Sequence, residues 1–280
     1  MQTTSKPSNR TARAGFTLVE LAIVLVIIGL IIGGVLVGQD MIKAAEVRAT
    51  AGQIEKYNAT VNTFRDKYQF IPGDLTKTAA ARFGFPPIAP GTPRTGAVGH
   101  GDGNGLLEGC SATAATGIPV AGCETIMFWL DLNSANLIDG SFTTATDGFV
   151  TAADPDAVKA LLPGAKLGRG NMVSVYGFRG LNYYQLGGVT AISAAGVPTV
   201  TNTLTPQEAF NIDAKIDDGK PGTGVARAAG AGTYNITVDN AGTILPACAS
   251  SSEYNAIAGV GTASTDAANT PACNIRIRFN

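Results

Sequence analysis

Residues near the amino terminus offer a candidate peptide-cleavage site. Close to it lies a carboxylate that can pair with the amine that cleavage would expose. Gly15 precedes Phe16, where a long apolar run begins, and Glu20 lies within that run. Cleavage between Gly15 and Phe16 would expose a positive α-amine about one helical turn from Glu20. A carboxylate in an apolar segment is energetically costly and usually has a partner. In a stack of offset identical helices, the Glu20 carboxylate of one copy would pair with the Phe16 amine of the next.

The run over residues 16–37 has the length and composition of a membrane span. Seventeen of its 22 residues are apolar and Glu20 alone is charged. As a helix it would be about 33 Å long, against about 30 Å for the core of a bilayer. The leader before it, residues 1–15, carries three basic residues and no acidic one. Because basic flanks stay on the cytoplasmic side, we expect the rest of the chain to face outward.

Two simpler interpretations of this segment stay open. A cleaved secretory signal has an apolar stretch of about 7–15 residues, which is shorter than this one. Its best small-residue cleavage site here, residues 47–49, lies too far downstream. A plain single-pass anchor agrees with the hydropathy but gives Glu20 no role. The alternative function is therefore a membrane-tethered extracytoplasmic binding module that never polymerises.

The stretch G-F-T-L-V-E-L, beginning at Gly15 and followed by the apolar run, resembles the N-terminus of type IV prepilins and type II secretion pseudopilins. The resemblance implies that a membrane prepilin peptidase cuts after Gly15 and methylates Phe16, and it makes Glu20 the assembly glutamate. It implies a structural filament subunit whose partners are further pilins, the peptidase and the inner-membrane assembly machinery. It also implies an inner-membrane precursor that becomes a cell-surface filament, and leaves open whether this is a pilus or a pseudopilus.

Residues suited to catalysis or to nucleic-acid binding are scarce. His100 is the single histidine, and we expect it to be solvated in its glycine-rich loop. The chain has no G-x-S-x-G motif, no Walker loop and no G-x-G-x-x-G before a helix. Its 20 Lys and Arg residues are balanced by 21 Asp and Glu, unlike the basic excess of nucleic-acid-binding proteins. The sequence therefore predicts neither an enzyme nor direct nucleic-acid binding.

Four cysteines in an exported chain predict two disulfides. Of the three connectivities, we favour the local one, which pairs Cys110 with Cys123 and Cys248 with Cys273. A disulfide loop near the C-terminus is also a feature of many type IV pilins, so the resemblance implies the second pair. A zinc site is disfavoured because the tight C-x-x-C pairs that it needs are missing.

No resident cofactor is predicted, but one acidic cluster leaves calcium open. Asp213 and Asp217 have the spacing of one helix face, and their repulsion favours a cation or Lys215 between them, with Asp218 alongside. A solvated, lysine-balanced helix end explains the same residues. A second acidic stretch, residues 102–108, lacks the register of an EF-type loop and is interpreted as a turn.

Periodicity divides the chain into the leader, a long helix and a head. An apolar stripe at helical spacing continues over residues 47–68, and no proline interrupts residues 16–71. We therefore predict one helix over 16–71, whose first part, 16–37, lies in the membrane or in a filament core. Residues 72–280 are predicted to form the head, which has an α+β fold with an antiparallel sheet. The resemblance implies a lollipop shape, in which the long helix packs on the sheet.

Within the head, shorter periodic runs predict the individual elements. Asp74 is expected to cap the first short helix, and Thr205 followed by a proline to begin the last. We expect helices over residues 75–83, 124–138 and 205–217, and strands over 172–178, 182–186, 234–238 and 275–279.

Overall fold

The computed structural model describes most of the chain. The described residues are 17–88, 94–109, 123–142, 153–178, 180–192, 198–229, 248–249, 253–254 and 270–279. The chain divides into two compact units, Met1–Ala44 and Ala45–Asn280. The first helix, α1 (Leu18–Tyr68), contributes residues to both units.

In the first unit, α1 presents an apolar surface all round. Every large apolar side chain from Leu18 to Val37 is at least 45% exposed. Within the described residues, α1 is the helix that is long and apolar enough to cross a membrane. Its 51 residues correspond to a length of about 77 Å. The predicted long helix is therefore confirmed over Leu18–Tyr68. It ends before the predicted residue 71, and residue 16 lies outside the described residues.

In the second unit, the apolar stripe of α1 is buried as predicted. The stripe consists of Val47, Ile54, Tyr57, Val61, Phe64 and Tyr68. All six side chains are at most 9% exposed and belong to the main hydrophobic core. Helical spacing places them on one face, which explains why a single helix can cover one side of a sheet.

The described part of the second unit contains a five-stranded sheet. Its strands are β1 (Asn171–Phe178), β2 (Leu181–Ile192), β3 (Pro198–Thr201), β4 (Ala226–Ala229) and β5 (Asn274–Phe279). They lie in the order β1-β2-β5-β4, β3 pairs with β2, and every pairing is antiparallel. The α+β fold with an antiparallel sheet is therefore confirmed.

The register of the sheet brings one row of apolar side chains against α1. Val175 on β1 lies opposite Tyr184 on β2, which lies opposite Ile277 on β5. All three are at most 1% exposed. The ring of Tyr184 lies 6.1 Å from that of Tyr57 on α1. The C-terminal part of α1 thus packs on this face of the sheet.

Four short helices complete the described part of this unit. They are α2 (Lys77–Phe83), α3 (Glu124–Ser134), α4 (Pro155–Lys159) and α5 (Pro206–Ile216). The predicted start of α5 is confirmed by a capping box, in which the Thr205 hydroxyl accepts from the Glu208 N–H and the Glu208 carboxylate accepts from the Thr205 N–H.

Other element predictions need correction. Asp74 does not cap α2: the Thr76 side chain does, by accepting a hydrogen bond from the Ala79 N–H, and Asp74 is buried instead. Helix α3 ends at Ser134, before the predicted residue 138. Helix α4 and strands β3 and β4 were not predicted, because four or five residues show no clear periodicity. The strand predicted over residues 234–238 lies outside the described residues.

A disulfide joins Cys248 to Cys273, 25 residues apart, as the local pairing predicts. Both cysteines are fully buried in the main core, and Cys273 directly precedes β5. The bridge therefore ties the last strand to a distant part of the chain. Cys110 lies outside the described residues, so its pairing with Cys123 stays a prediction.

Candidate functional site

Thr17 and Glu20 interact at the start of α1. The Thr17 N–H and hydroxyl both donate to Glu20 Oε2, each at 2.8 Å, and the Glu20 N–H donates to Thr17 Oγ1 at 3.3 Å. A threonine just before the helix that exchanges hydrogen bonds with a glutamate three residues later forms a capping box. Sequence analysis missed this role of Glu20, although the Thr-x-x-Glu spacing could have revealed it.

The capping box occupies only one of the two carboxylate oxygens of Glu20. Oε2 takes both Thr17 donors, whereas Oε1 accepts no hydrogen bond from any described residue. Glu20 can therefore cap its own helix and still accept from a second donor. Gly15 and Phe16 lie outside the described residues, so the predicted cleavage site, methylation site and amine stay predictions.

Four glycines interrupt the apolar surface of α1 without an evident role inside one chain. They are Gly29, Gly33, Gly34 and Gly38. A Cβ added at any of them would meet no heavy atom within 4 Å. Small residues spaced along a membrane helix allow close approach of a neighbouring helix. The geometry therefore leaves these positions open for contacts with other helices.

The structure brings the three aspartates of the calcium hypothesis together. One carboxylate oxygen from each of Asp213, Asp217 and Asp218 lies within 4.8 Å of the others. The Asp213 carboxylate accepts from the Tyr254 hydroxyl at 2.9 Å and from the Gly219 N–H at 3.2 Å. Burial raises the pKa of Asp213 to about 6. The buried Asp213 carboxylate therefore already accepts hydrogen bonds from donors of the chain.

The other two carboxylates of this cluster also have donors from the chain. Asp217 accepts from the Val225 N–H. Asp218 accepts from the Thr223 hydroxyl at 2.6 Å and from the Lys220 N–H at 2.8 Å. Calcium at Asp213, Asp217 and Asp218 therefore stays the untested alternative to a helix end whose carboxylates are paired within the chain.

Calorimetry tests this calcium alternative. Backbone and hydroxyl donors already form hydrogen bonds with the carboxylates of this cluster. We therefore expect a titration of calcium chloride into the full chain in detergent to give the same heat for the wild type and for Asp217→Asn. Binding heat that the wild type shows and the variant loses would instead assign calcium to these carboxylates. A magnesium titration provides the control for general ionic effects.

His100, which sequence analysis expected to be solvated, is half-buried. Its Nε2 lies 3.7 Å from Cys123 Sγ, at the start of α3. The next residue, Gly101, donates its N–H to the Glu124 carboxylate at 2.8 Å. The expectation was wrong because this loop folds back onto α3 instead of extending into solvent.

A comparison with known families gives one match at the N-terminus. Residues 10–36 match the family described as the prokaryotic N-terminal methylation motif. This motif is the type IV prepilin-type signature, so the resemblance of the N-terminal segment is confirmed. The match includes Gly15, Phe16 and Glu20. No curated protein and no solved structure matches the chain.

Proposed function

We propose that this chain, which begins with the type IV prepilin-type signature, is a structural subunit of a type IV pilus or of a pilus-like secretion filament. The observation that carries the proposal is the match of residues 10–36 to that signature, immediately before and within an apolar helix. The motif is typical of pilin-like structural proteins, and we infer that this chain is not an enzyme.

Processing is the first step of the proposed mechanism. A membrane prepilin peptidase removes residues 1–15, and the bond broken is the peptide bond between Gly15 and Phe16. Water supplies one oxygen of the new Gly15 carboxylate, and its two protons convert the former amide nitrogen into the positively charged amine of Phe16. An electrophilic methyl donor then transfers one methyl group to that nitrogen, which loses one proton. The product is a secondary amine, and it is still basic enough to be protonated and positively charged at neutral pH.

Assembly is the second step, and it depends on Glu20. The carboxylate of one subunit pairs with the Phe16 amine of its neighbour, which neutralises both charges where water is scarce. Oε1 is the oxygen left for this contact, because Oε2 is held by Thr17. The pair also fixes the axial register, since a shift by one residue would separate the two charges.

The apolar surface of α1 then decides where the subunit can reside. A Val, Leu or Ile side chain moved from an apolar environment into water costs about 1.5–3 kcal/mol. The exposed side chains from Leu18 to Val37 must therefore be covered by lipid or by other helices. We propose that the precursor lies in the inner membrane and that assembled subunits bury this surface in a filament core, with their heads outside.

Intact-mass spectrometry tests the processing step. We expect the chain produced with a prepilin peptidase to lose residues 1–15 and to gain one methyl group on Phe16. Gly15→Val is expected to block both changes, because a branched side chain obstructs the scissile bond. Gly52→Val is the matched control: a Cβ at this glycine of α1 meets no atom within 4 Å, and processing should be normal.

Two results would contradict the proposed processing. One is a wild-type chain that keeps its first 15 residues in the presence of active peptidase. The other is cleavage at a different bond, such as the small-residue site over residues 47–49, which would instead identify a secretory signal.

A further inference from the structure

A polar stripe runs along one flank of the second half of α1. It consists of Asn58, Asn62, Arg65 and Gln69. Steps of four, three and four residues place these side chains on one side of the helix, next to the buried apolar stripe. Asn58 is half-buried and the other three residues are exposed. The stripe therefore borders the core without being part of it.

This stripe forms one wall of an open groove. Three hollows of about 400 to 480 Å³ follow one another along it, each with the size of a ligand pocket. Asn62 lines the first and second hollows, and Arg65 and Gln69 line the second and third, so the three are continuous. The facing wall consists of Val225, Arg278 and Phe279 at one end and of Gly105, Gly180, Leu181 and Asn182 at the other. The stripe and the facing wall together are named the amide groove.

The amide groove is long enough for a short extended chain. From Asn58 to Gln69, α1 rises by about 16.5 Å. An extended peptide covers that distance in about five residues, at about 3.3 Å each. Two glycines keep the far end open, since a Cβ at Gly105 or Gly180 would meet no heavy atom within 4 Å.

The amide side chains of the stripe have hydrogen-bonding capacity to spare. Asn58 Oδ1 is buried and accepts no hydrogen bond from the described residues. A buried acceptor without a donor is costly, so this oxygen favours an occupant that brings one. Gln69 uses its Nε2 on the Asp66 carbonyl oxygen at 3.0 Å, which leaves its amide oxygen available.

Two cations of the amide groove lack a counter-ion. Neither Arg65 nor Arg278 forms a salt bridge with any described residue. No acidic residue lines the hollow that contains Arg278. At the other end, both oxygens of Asp74 are held by the N–H groups of Gly103 and Gly105 at 2.7 Å. The exposed Asp66 is then the one carboxylate of the lining without such donors among the described residues.

These groups match an acidic peptide better than a nucleic-acid strand. A side-chain amide carries a donor and an acceptor, as a peptide group does, and a guanidinium matches a carboxylate. The rises from Asn58 to Asn62 and from Asn62 to Gln69 are about 6 and about 10.5 Å. Two and three residues of an extended chain cover about 6.6 and about 9.9 Å.

A single nucleic-acid strand needs aromatic rings on which its bases stack. Of the aromatic residues that line the amide groove, Phe279 is only 5% exposed and Phe70 is half-buried. The groove therefore offers hydrogen-bonding groups and positive charge without a stacking surface.

We propose that the amide groove binds an extended acidic segment of a partner protein, about five residues long. The amides of Asn58, Asn62 and Gln69 pair with its backbone, and one backbone N–H reaches Asn58 Oδ1. Arg278 and Arg65 pair with its carboxylates. The site goes beyond the proposed filament role, because it lies on the head and uses no residue of the N-terminal signature.

Fluorescence anisotropy tests this site with the unassembled full chain in detergent, so the result does not depend on filament formation. The probe is a fluorescein-labelled hexapeptide in which serine and aspartate alternate. We expect saturable binding that is at least about tenfold tighter than for the same peptide with asparagine in place of aspartate. Binding should weaken as the salt rises from about 50 to about 500 mM, because salt screens exposed charges.

Matched variants separate this site from general attraction to a basic surface. Arg65→Gln and Arg278→Gln should each weaken binding at least about fivefold, and Asn62→Leu should weaken it as well. Lys67→Gln is the control: Lys67 is exposed on the same helix but lies about 200° around it from Arg65, and binding should be unchanged. Unchanged Trp129 fluorescence in each variant shows that the head is folded.

Three outcomes would overturn the proposal. The first is equal binding of the aspartate and asparagine peptides. The second is a loss of binding in Lys67→Gln that matches the loss in Arg65→Gln. The third is displacement of the probe by a hexamer of galacturonic acid at a lower concentration than the unlabelled peptide requires, which would assign the groove to an acidic saccharide.

Discussion

Replacing Glu20 with alanine is expected to abolish filament assembly and to leave the precursor in the membrane. Alanine removes the carboxylate that would pair with the Phe16 amine of the next subunit, so a positive charge stays unpaired in an apolar helix bundle. Removal of one partner from a buried ion pair costs about 3–5 kcal/mol, which lowers an association constant by about a hundredfold or more. The membrane span itself becomes more apolar, so insertion should not suffer.

Shearing of cells followed by immunoblotting of the sheared and membrane fractions measures this effect. Glu55→Ala is the matched control, because Glu55 is an exposed glutamate on α1 beyond the apolar segment. We expect normal filaments from the control and none from Glu20→Ala, with similar amounts of both proteins in the membrane. Filaments formed equally well by the two variants would contradict a role of Glu20 in assembly.

Replacing Asp131 with alanine is expected to lower the free energy of unfolding of the head by about 3–5 kcal/mol, since it leaves a buried charge without its partner. Asp131 and Arg94 have side chains that are 0% and 1% exposed. Their contact uses the two terminal nitrogens of the guanidinium, Nη1 and Nη2, and Asp131 also accepts the Gly73 N–H at 2.7 Å. The substitution therefore removes the carboxylate that neutralises Arg94 and leaves the Gly73 N–H without its acceptor, while Arg94 keeps only backbone carbonyl acceptors.

Denaturant unfolding of the full chain in detergent measures this loss. Trp129 is the single tryptophan and is fully buried beside Asp131 on α3, so its fluorescence reports unfolding of this part of the head. Asp139→Ala is the control, because its ion pair with Lys56 is exposed and should contribute at most about 1 kcal/mol. Similar losses for the two variants would refute the importance of the buried pair.

Features that depend on neighbouring residues in the sequence were predictable. The apolar stripe over residues 47–68 gave the buried face of α1, because helical periodicity is visible without the fold. Thr205 and Glu208 form the capping box at α5 for the same local reason. The apolar run that begins at Phe16, with Glu20 inside it, was recognisable as a prepilin-type N-terminus, and the family match confirms that resemblance.

Contacts between distant residues were not predictable in the same way. Arg94 and Asp131 are 37 residues apart, and Asp74 is 29 residues from Gly103, so only the folded chain brings them together. An aspartate shortly before a short helix predicts a cap at Asp74, because Asp and Thr are both favoured at that position, whereas Thr76 fills it in the structure. No periodicity in the sequence indicates that a carboxylate accepts hydrogen bonds from the backbone of a distant loop.

Glu20 was assigned a partner on another copy, and the structure shows a partner on its own helix. These roles are compatible, since Thr17 occupies Oε2 and leaves Oε1. A membrane-tethered binding module would need the capping role alone, so the capping box does not separate the two hypotheses. What separates them is whether processed chains polymerise through this end.

The most direct test of the proposed filament subunit is mass spectrometry of the N-terminal peptide from filaments sheared off cells that produce the chain. The account predicts that the sheared fraction contains this chain and that its first residue is N-methylated Phe16. Recovery of the chain only in the membrane fraction, with residues 1–15 still attached, would contradict it.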